Sequence, residues 1–163
     1  MDALLERARR VRLLVLDVDG VLTDGRLYFG PEGEALKVFH VRDGAGLVAL
    51  RRAGVVLAII SGRSSAAVAQ RARELGIEHL RQGVADKGAE FDRLCAQLQL
   101  DPADCACVGD DTPDLPLFER VALAFAVADA HPSLRERASW VTTLPGGLGA
   151  VREVCDLLLR ARA

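Results

Sequence analysis

Four short apolar runs, "RLLVLD", "VVLAII", "CACVG" and "ALAFAV", recur along the chain with almost no polar interruption. A strand with one face in water alternates apolar and polar residues, whereas a strand covered on both faces reads as a continuous apolar run. Runs of this kind predict a parallel sheet held between layers of helix. The intervening segments meet that demand. Val68, Ala72 and Leu75 share one helical face, as do Phe91, Leu94, Cys95 and Leu98, and Leu148, Val151, Cys155 and Leu158 repeat the spacing towards the end.

The expected fold class is therefore α/β, a doubly wound (Rossmann-like) parallel sheet flanked by helices. At 163 residues, half of them hydrophobic, the chain can fill one core but not two ordinary ones, so residues 1–163 are expected to form a single domain. One segment breaks the alternation. "RLYFGPEGEALKVFHVRDG" holds two strand-like pieces around a Gly- and Pro-rich turn, which predicts a β-hairpin inserted at residues 26–41.

Charge and composition exclude several partners. The net charge of −2, with acids and bases interspersed, argues against nucleic acid, and Arg7, Arg9, Arg10 and Arg12 read as a solvated helix face. No apolar run approaches the roughly 20 residues that span a bilayer. "MDALLERARR" lacks the apolar core of a signal peptide, so no membrane association and a cytoplasmic location are expected. Cys95, Cys105, Cys107 and Cys155 are too scattered for a disulfide framework and are expected to be reduced core residues. His40, His79 and His131 have no metal-ligand spacing, and "AHP" at His131 suits a turn and helix start.

The chemistry lies where the apolar runs stop. In an open parallel sheet, ligands bind outside the carboxyl ends of the strands. "LDVDG" places Asp17 and Asp19 at the end of the first run, and "VGDDTPD" places Asp110, Asp111 and Asp114 after "CACVG". If the extended geometry persists, Asp17 and Asp19 point the same way. Carboxylates facing one small volume repel unless a cation or shared proton relieves them, and an all-oxygen Mg²⁺ site is the simplest relief. "AIISGRS" puts Ser61 at a strand end and a helix start, where a hydroxyl and free N–H groups can hold phosphate oxygens, and Lys87 in "ADKGAEF" can add positive charge.

Taken together, "DVDGVLTD", "ISGR", Lys87 and "GDDTPD" resemble the haloacid dehalogenase superfamily of phosphohydrolases. The resemblance implies that Asp17 is the nucleophile, forming an aspartyl-phosphate, and that Asp19 is the acid/base, its backbone carbonyl also binding Mg²⁺. It further implies that Asp17 and Asp110 ligate the metal, that Asp114 supports it, and that Ser61, Gly62 and Lys87 hold the phosphoryl group.

The match narrows through "LDVDGVLTDGRLYFGPEGEALKVFHVRDGAGL", "HLRQGVADK", "FAVADAHP" and "GGLGAVREVCDLLL", which resemble the capless branch acting on 3-deoxy-D-manno-octulosonate 8-phosphate (Kdo 8-phosphate) in lipopolysaccharide synthesis. In that branch the hairpin helps assemble a homotetramer, and a neighbouring subunit covers the site in place of a cap domain. Nonulosonate 9-phosphate phosphatases share the scaffold but carry an acid where this chain has Arg63; an arginine suits the substrate carboxylate, which makes Arg63 the expected specificity residue. Two departures stand out: Arg81 replaces an aromatic residue, and "LLLRARA" lacks the longer tail of some members. A receiver-type phospho-acceptor would need the acids in the opposite order along the chain. A non-catalytic regulatory module would not need both Asp17 and Asp19.

Overall fold

In a computed structural model, which describes residues 2–163, the runs become strands in the expected order. The elements are α1 (Asp2–Arg10), β1 (Leu13–Leu16), β2 (Tyr28–Gly30), β3 (Gly33–Leu36), α2 (Val41–Arg52), β4 (Val56–Ile60), α3 (Ala66–Leu75), β5 (His79–Arg81), α4 (Lys87–Leu98), β6 (Cys105–Gly109), α5 (Leu115–Phe118), β7 (Leu123–Ala126), α6 (Pro132–Arg137), β8 (Trp140–Val141) and α7 (Ala150–Arg160). Six strands form one parallel sheet in the order β5-β4-β1-β6-β7-β8. The chain winds outward from β1 through β4 to β5, then returns to β6 on the other side of β1. That reversal puts the carboxyl ends of β1 and β6 side by side at the topological switch point, with Leu16 paired to Val108.

The sheet holds two strands more than the apolar runs predict. β5 and β8 are edge strands of three and two residues, half-buried throughout, and too short to show periodicity. A second correction concerns the last helix. Leu148 was expected on its buried face, but α7 starts at Ala150, after Gly149 at φ +112°, and Leu148 is exposed.

β2 and β3 form the separate antiparallel hairpin expected within residues 26–41, turning at Gly30–Gly33. α1 and α2 pack on α7, while α5 bridges α4 and α6. α2 was not foreseen, because Gly44 and Gly46 weaken a helical reading. Gly46 has a packing reason: a Cβ there would lie 2.9 Å from the Arg152 side chain and 3.1 Å from Cys155 Cβ, so glycine lets α2 approach α7. Where the two helices meet, buried Asp43 of α2 accepts a hydrogen bond from the Arg152 backbone N–H (2.8 Å), capping α7 from outside. All four cysteines are free and buried. No helix among the described residues is long and apolar enough to cross a membrane.

Candidate active site

Asp17 leaves the end of β1 with its N–H still bonded to Val108 O across the sheet (3.3 Å). Its carboxylate lies 3.0 Å from the Lys87 ammonium, which also donates to Asp114 Oδ1 at 2.7 Å. Lys87 is the first residue of α4, buried, and held at that start by Asp86, whose side chain accepts from Ala89 N. On the β6 side the chain enters a short 3₁₀ turn (Thr112–Asp114), and Asp114 Oδ2 accepts from the Asp110 N–H at 3.0 Å. Asp17, Asp110 and Asp114 each bring a carboxylate oxygen within 4.8 Å of the others.

The protonation equilibria register this crowding. Burial, then the charge of Asp114, raises Asp17 from its ordinary 3.8 to about 6, against the opposing pull of Lys87. Burial, followed by the charges of Asp17 and Asp114, raises Asp110 to about 8. Burial by itself would lower Lys87, but the two flanking carboxylates outweigh it and hold the ammonium above its ordinary value. Lys87 thus serves two of the three clustered acids and leaves Asp110 without a cation among the described residues, and a divalent cation between Asp17 and Asp110 would relieve the remaining repulsion. The backbone is shaped to admit the Asp110 carboxylate: Gly20 sits at φ +87°, and a Cβ there would fall 1.9 Å from Asp110 Oδ2. The residues present therefore fit a hard, oxygen-liganded ion.

Two expectations about local geometry are corrected. Asp17 and Asp19 do not continue an extended strand, because Val18 O accepts from the N–H groups of Val21, Leu22 and Thr23 and the chain curls. Asp19 lies outside the carboxylate cluster and accepts instead from Lys37 Nζ at 2.7 Å. Ser61 follows β4 and is buried, but it does not start a helix; α3 begins at Ala66 with Ser65 before it. The loop 61–65 separates them, so any anion held by Ser61 and Gly62 meets a loop and not a helix N-terminus.

Arg63 is half-exposed on that loop, 3.1 Å from Glu34 Oε2 and 3.8 Å from Asp19 Oδ2. All eight residues singled out from the sequence, Asp17, Asp19, Ser61, Gly62, Arg63, Lys87, Asp110 and Asp114, line one cleft of about 340 Å³ at the carboxyl edge of the sheet. A depression of about 260 Å³ at the amino ends of β4 and β5, lined by Arg51, Val56 and His79 among others, gathers no such acids. Arg81 does not enter the cleft lining; it turns onto α4, where it meets Glu90 at 3.0 Å and Gln97 at 2.9 Å. Sequence reasoning missed Gly20, Glu34 and Lys37. Gly20 sits inside "DVDGVLTDG", where a glycine beside an acid is a visible signal, but the two hairpin charges had none.

Comparison with known proteins bears on this arrangement. A family model described as haloacid dehalogenase-like hydrolase matches residues 78–146. The 3-deoxy-D-manno-octulosonate 8-phosphate phosphatase of Escherichia coli (strain K12) is 51% identical over 158 residues, covering 97% of this chain and 84% of that protein. The chain belongs to this phosphatase family. A crystal structure of the family from Yersinia pestis, 49% identical, matches with a TM-score of 0.96 over 99% of this chain and 87% of that one. Another, from Moraxella catarrhalis in complex with magnesium, phosphate and KDO, is 42% identical with a TM-score of 0.97, covering 99% of this chain and 93% of that one. With so much of the chain matched, the family likeness includes the hairpin as well as the sheet.

Proposed function

We propose that this protein is a Mg²⁺-dependent phosphomonoesterase that hydrolyses Kdo 8-phosphate to Kdo and inorganic phosphate, in the synthesis of a lipopolysaccharide precursor. The observation that carries the chemistry is the buried Asp17–Lys87–Asp114 group beside Asp110 at the switch point of the sheet. The substrate assignment rests on relatives about half identical over nearly the whole chain.

Asp17 is the nucleophile. Its carboxylate oxygen forms a bond to phosphorus as the phosphorus–ester oxygen bond breaks, and Asp19 gives its proton to the departing sugar oxygen. In the second half-reaction Asp19 takes a proton from water, whose oxygen attacks phosphorus, and Asp17 is released with inorganic phosphate. Lys87 balances the charge on Asp17 and on the transferring oxygens, while the Ser61 hydroxyl and Gly62 hold that group in line. Asp17, Asp110 and the Asp19 carbonyl would hold Mg²⁺, with Asp114 supporting them; the ion supplies charge neutralisation for the phosphoryl oxygens. Arg63 receives the sugar-acid carboxylate.

Residues 1–163 act as a single capless hydrolase domain, and the hairpin assembles a homotetramer in which neighbours cover the site. The exposed Leu27, Phe29, Leu36 and Val38 on and beside the hairpin support that reading. Four free, buried cysteines support a reading as a cytoplasmic enzyme.

The test is Mg²⁺-dependent phosphate release from Kdo 8-phosphate, nonulosonate 9-phosphates and simple hexose phosphates, compared by kcat/KM. Kdo 8-phosphate should be preferred by at least about tenfold, the scale of one well-placed charged contact. A preference for the nine-carbon acids would withdraw the substrate and leave the phosphatase chemistry standing.

A further inference from the structure

The residue after β3, Lys37, is the least expected charge near the cleft. Its side chain is only 3% exposed, and its ammonium meets two carboxylates, Asp19 Oδ1 at 2.7 Å and Glu34 Oε2 at 3.1 Å. A buried ammonium is unfavourable unless it is paired and hydrogen-bonded, so this one is held by, and holds, both partners. The consequence for Asp19 is geometric. One of its oxygens is taken by Lys37, and the other, Oδ2, lies 3.8 Å from Nε of Arg63, which lines the cleft together with Asp19. Glu34 closes the circuit by also accepting from Arg63 at 3.1 Å.

We propose that Lys37 is a positioning residue for proton transfer: it fixes Asp19 Oδ1 so that Oδ2 alone faces the leaving sugar oxygen. The inference rests on the acid/base reading of Asp19 given above. The hairpin thereby reaches into the chemistry, because its second strand and the residue that follows it deliver Glu34 and Lys37 to the site. A carboxyl group free to rotate would present its proton in many directions, and positioned proton transfer contributes on the order of 10²–10⁴ in rate. The step itself is the one already written: the phosphorus–oxygen bond breaks and the ester oxygen takes the Asp19 proton.

A purely structural role for Lys37 would slow every substrate alike. A positioning role would not, because p-nitrophenolate is a stable anion near neutral pH and leaves without a proton, whereas a sugar alkoxide requires one. The experiment measures kcat/KM for Kdo 8-phosphate and for p-nitrophenyl phosphate on the Mg²⁺-loaded full chain, in the parent protein and in Lys37→Met, Lys37→Arg and Asp19→Asn. Because both substrates are read on one sample, their ratio is independent of the fraction folded. Lys37→Met should lose at least about tenfold more on the sugar ester than on the aryl ester, Lys37→Arg should recover part of that skew, and Asp19→Asn should show it in full. Equal losses on both substrates in Lys37→Met, no loss at all, or abolition of both activities in both Lys37 variants would overturn the proposal. If Asp19→Asn is skewed and Lys37→Met is not, only the role of Lys37 fails; if Asp19→Asn is unskewed, the acid/base reading falls and takes this inference with it.

Discussion

Asp17 and Asp110 are carboxyls that the fold holds in protonation equilibria far from those of the unfolded chain. Their values of about 6 and about 8, against an ordinary 3.8, mean that the native state binds more protons than the unfolded state between those limits. Stability then falls as pH rises through that window, since the slope follows the protons bound unfolded minus those bound folded, which is negative here. A divalent cation replaces those protons. The melting temperature of the metal-free protein is accordingly expected to fall between about pH 5.5 and pH 8, and the increase produced by saturating Mg²⁺ to be larger at the higher pH. Differential scanning fluorimetry with and without Mg²⁺ decides it: an increment that is the same at both pH values would mean that these carboxyls do not take the ion.

Among the elements, α7 depends on a neighbour for its start. Its preceding residue is Gly149, which has no side chain to cap with, and Asp43 of α2 supplies the acceptor for the Arg152 N–H. That service comes at a cost: burial raises the Asp43 carboxyl above its ordinary value, and its Oδ2 has no partner among the described residues. The acceptor is useful and the buried charge is not. Asp43→Ala should therefore lower stability by about 1–2 kcal/mol, whereas Asp43→Asn, which keeps an acceptor oxygen and cannot ionise, should stay within about 1 kcal/mol of the parent. Urea denaturation near neutral pH separates the two. An alanine variant as stable as the asparagine variant would show that the cap contributes nothing.

For the whole molecule, the hairpin is the feature that the sheet does not account for. It stands outside the six-stranded sheet and leaves Phe29 65% and Leu36 50% exposed, apolar surface of a kind that marks contact with another chain. Under the tetramer reading, Phe29→Asp combined with Leu36→Asp should give a smaller assembly by light scattering and a lower kcat/KM, because neighbours would no longer cover the cleft. An unchanged mass would remove the hairpin from assembly. Leu36 adjoins Lys37 along the chain and Phe29 lies opposite Glu34 across the hairpin, so assembly is judged by the mass, and the pairing with Asp19 by the Lys37 variants.

Much of the architecture and of the cleft was legible along the chain, for a physical reason. Continuous apolar runs such as "LLVL" and "CACVG" can be satisfied only by strands covered on both faces, and such sheets bind ligands at their carboxyl ends. Asp17, Lys87, Asp110 and Asp114 could thus be named as a group before any coordinates placed them together. What local pattern could not show depends on where the chain turns and what it meets. The curl after Asp17 is made by three N–H groups converging on Val18 O, and Asp19 lies outside the acidic cluster, paired with Lys37. Gly20 is required by the Asp110 carboxylate, some ninety residues further along the chain. Lys37 and Glu34 look like ordinary hairpin charges until the tertiary fold buries one and bonds both to the site. Periodicity reports which face of an element is apolar; only the packed chain decides which distant charge lies within 3 Å of a given carboxylate.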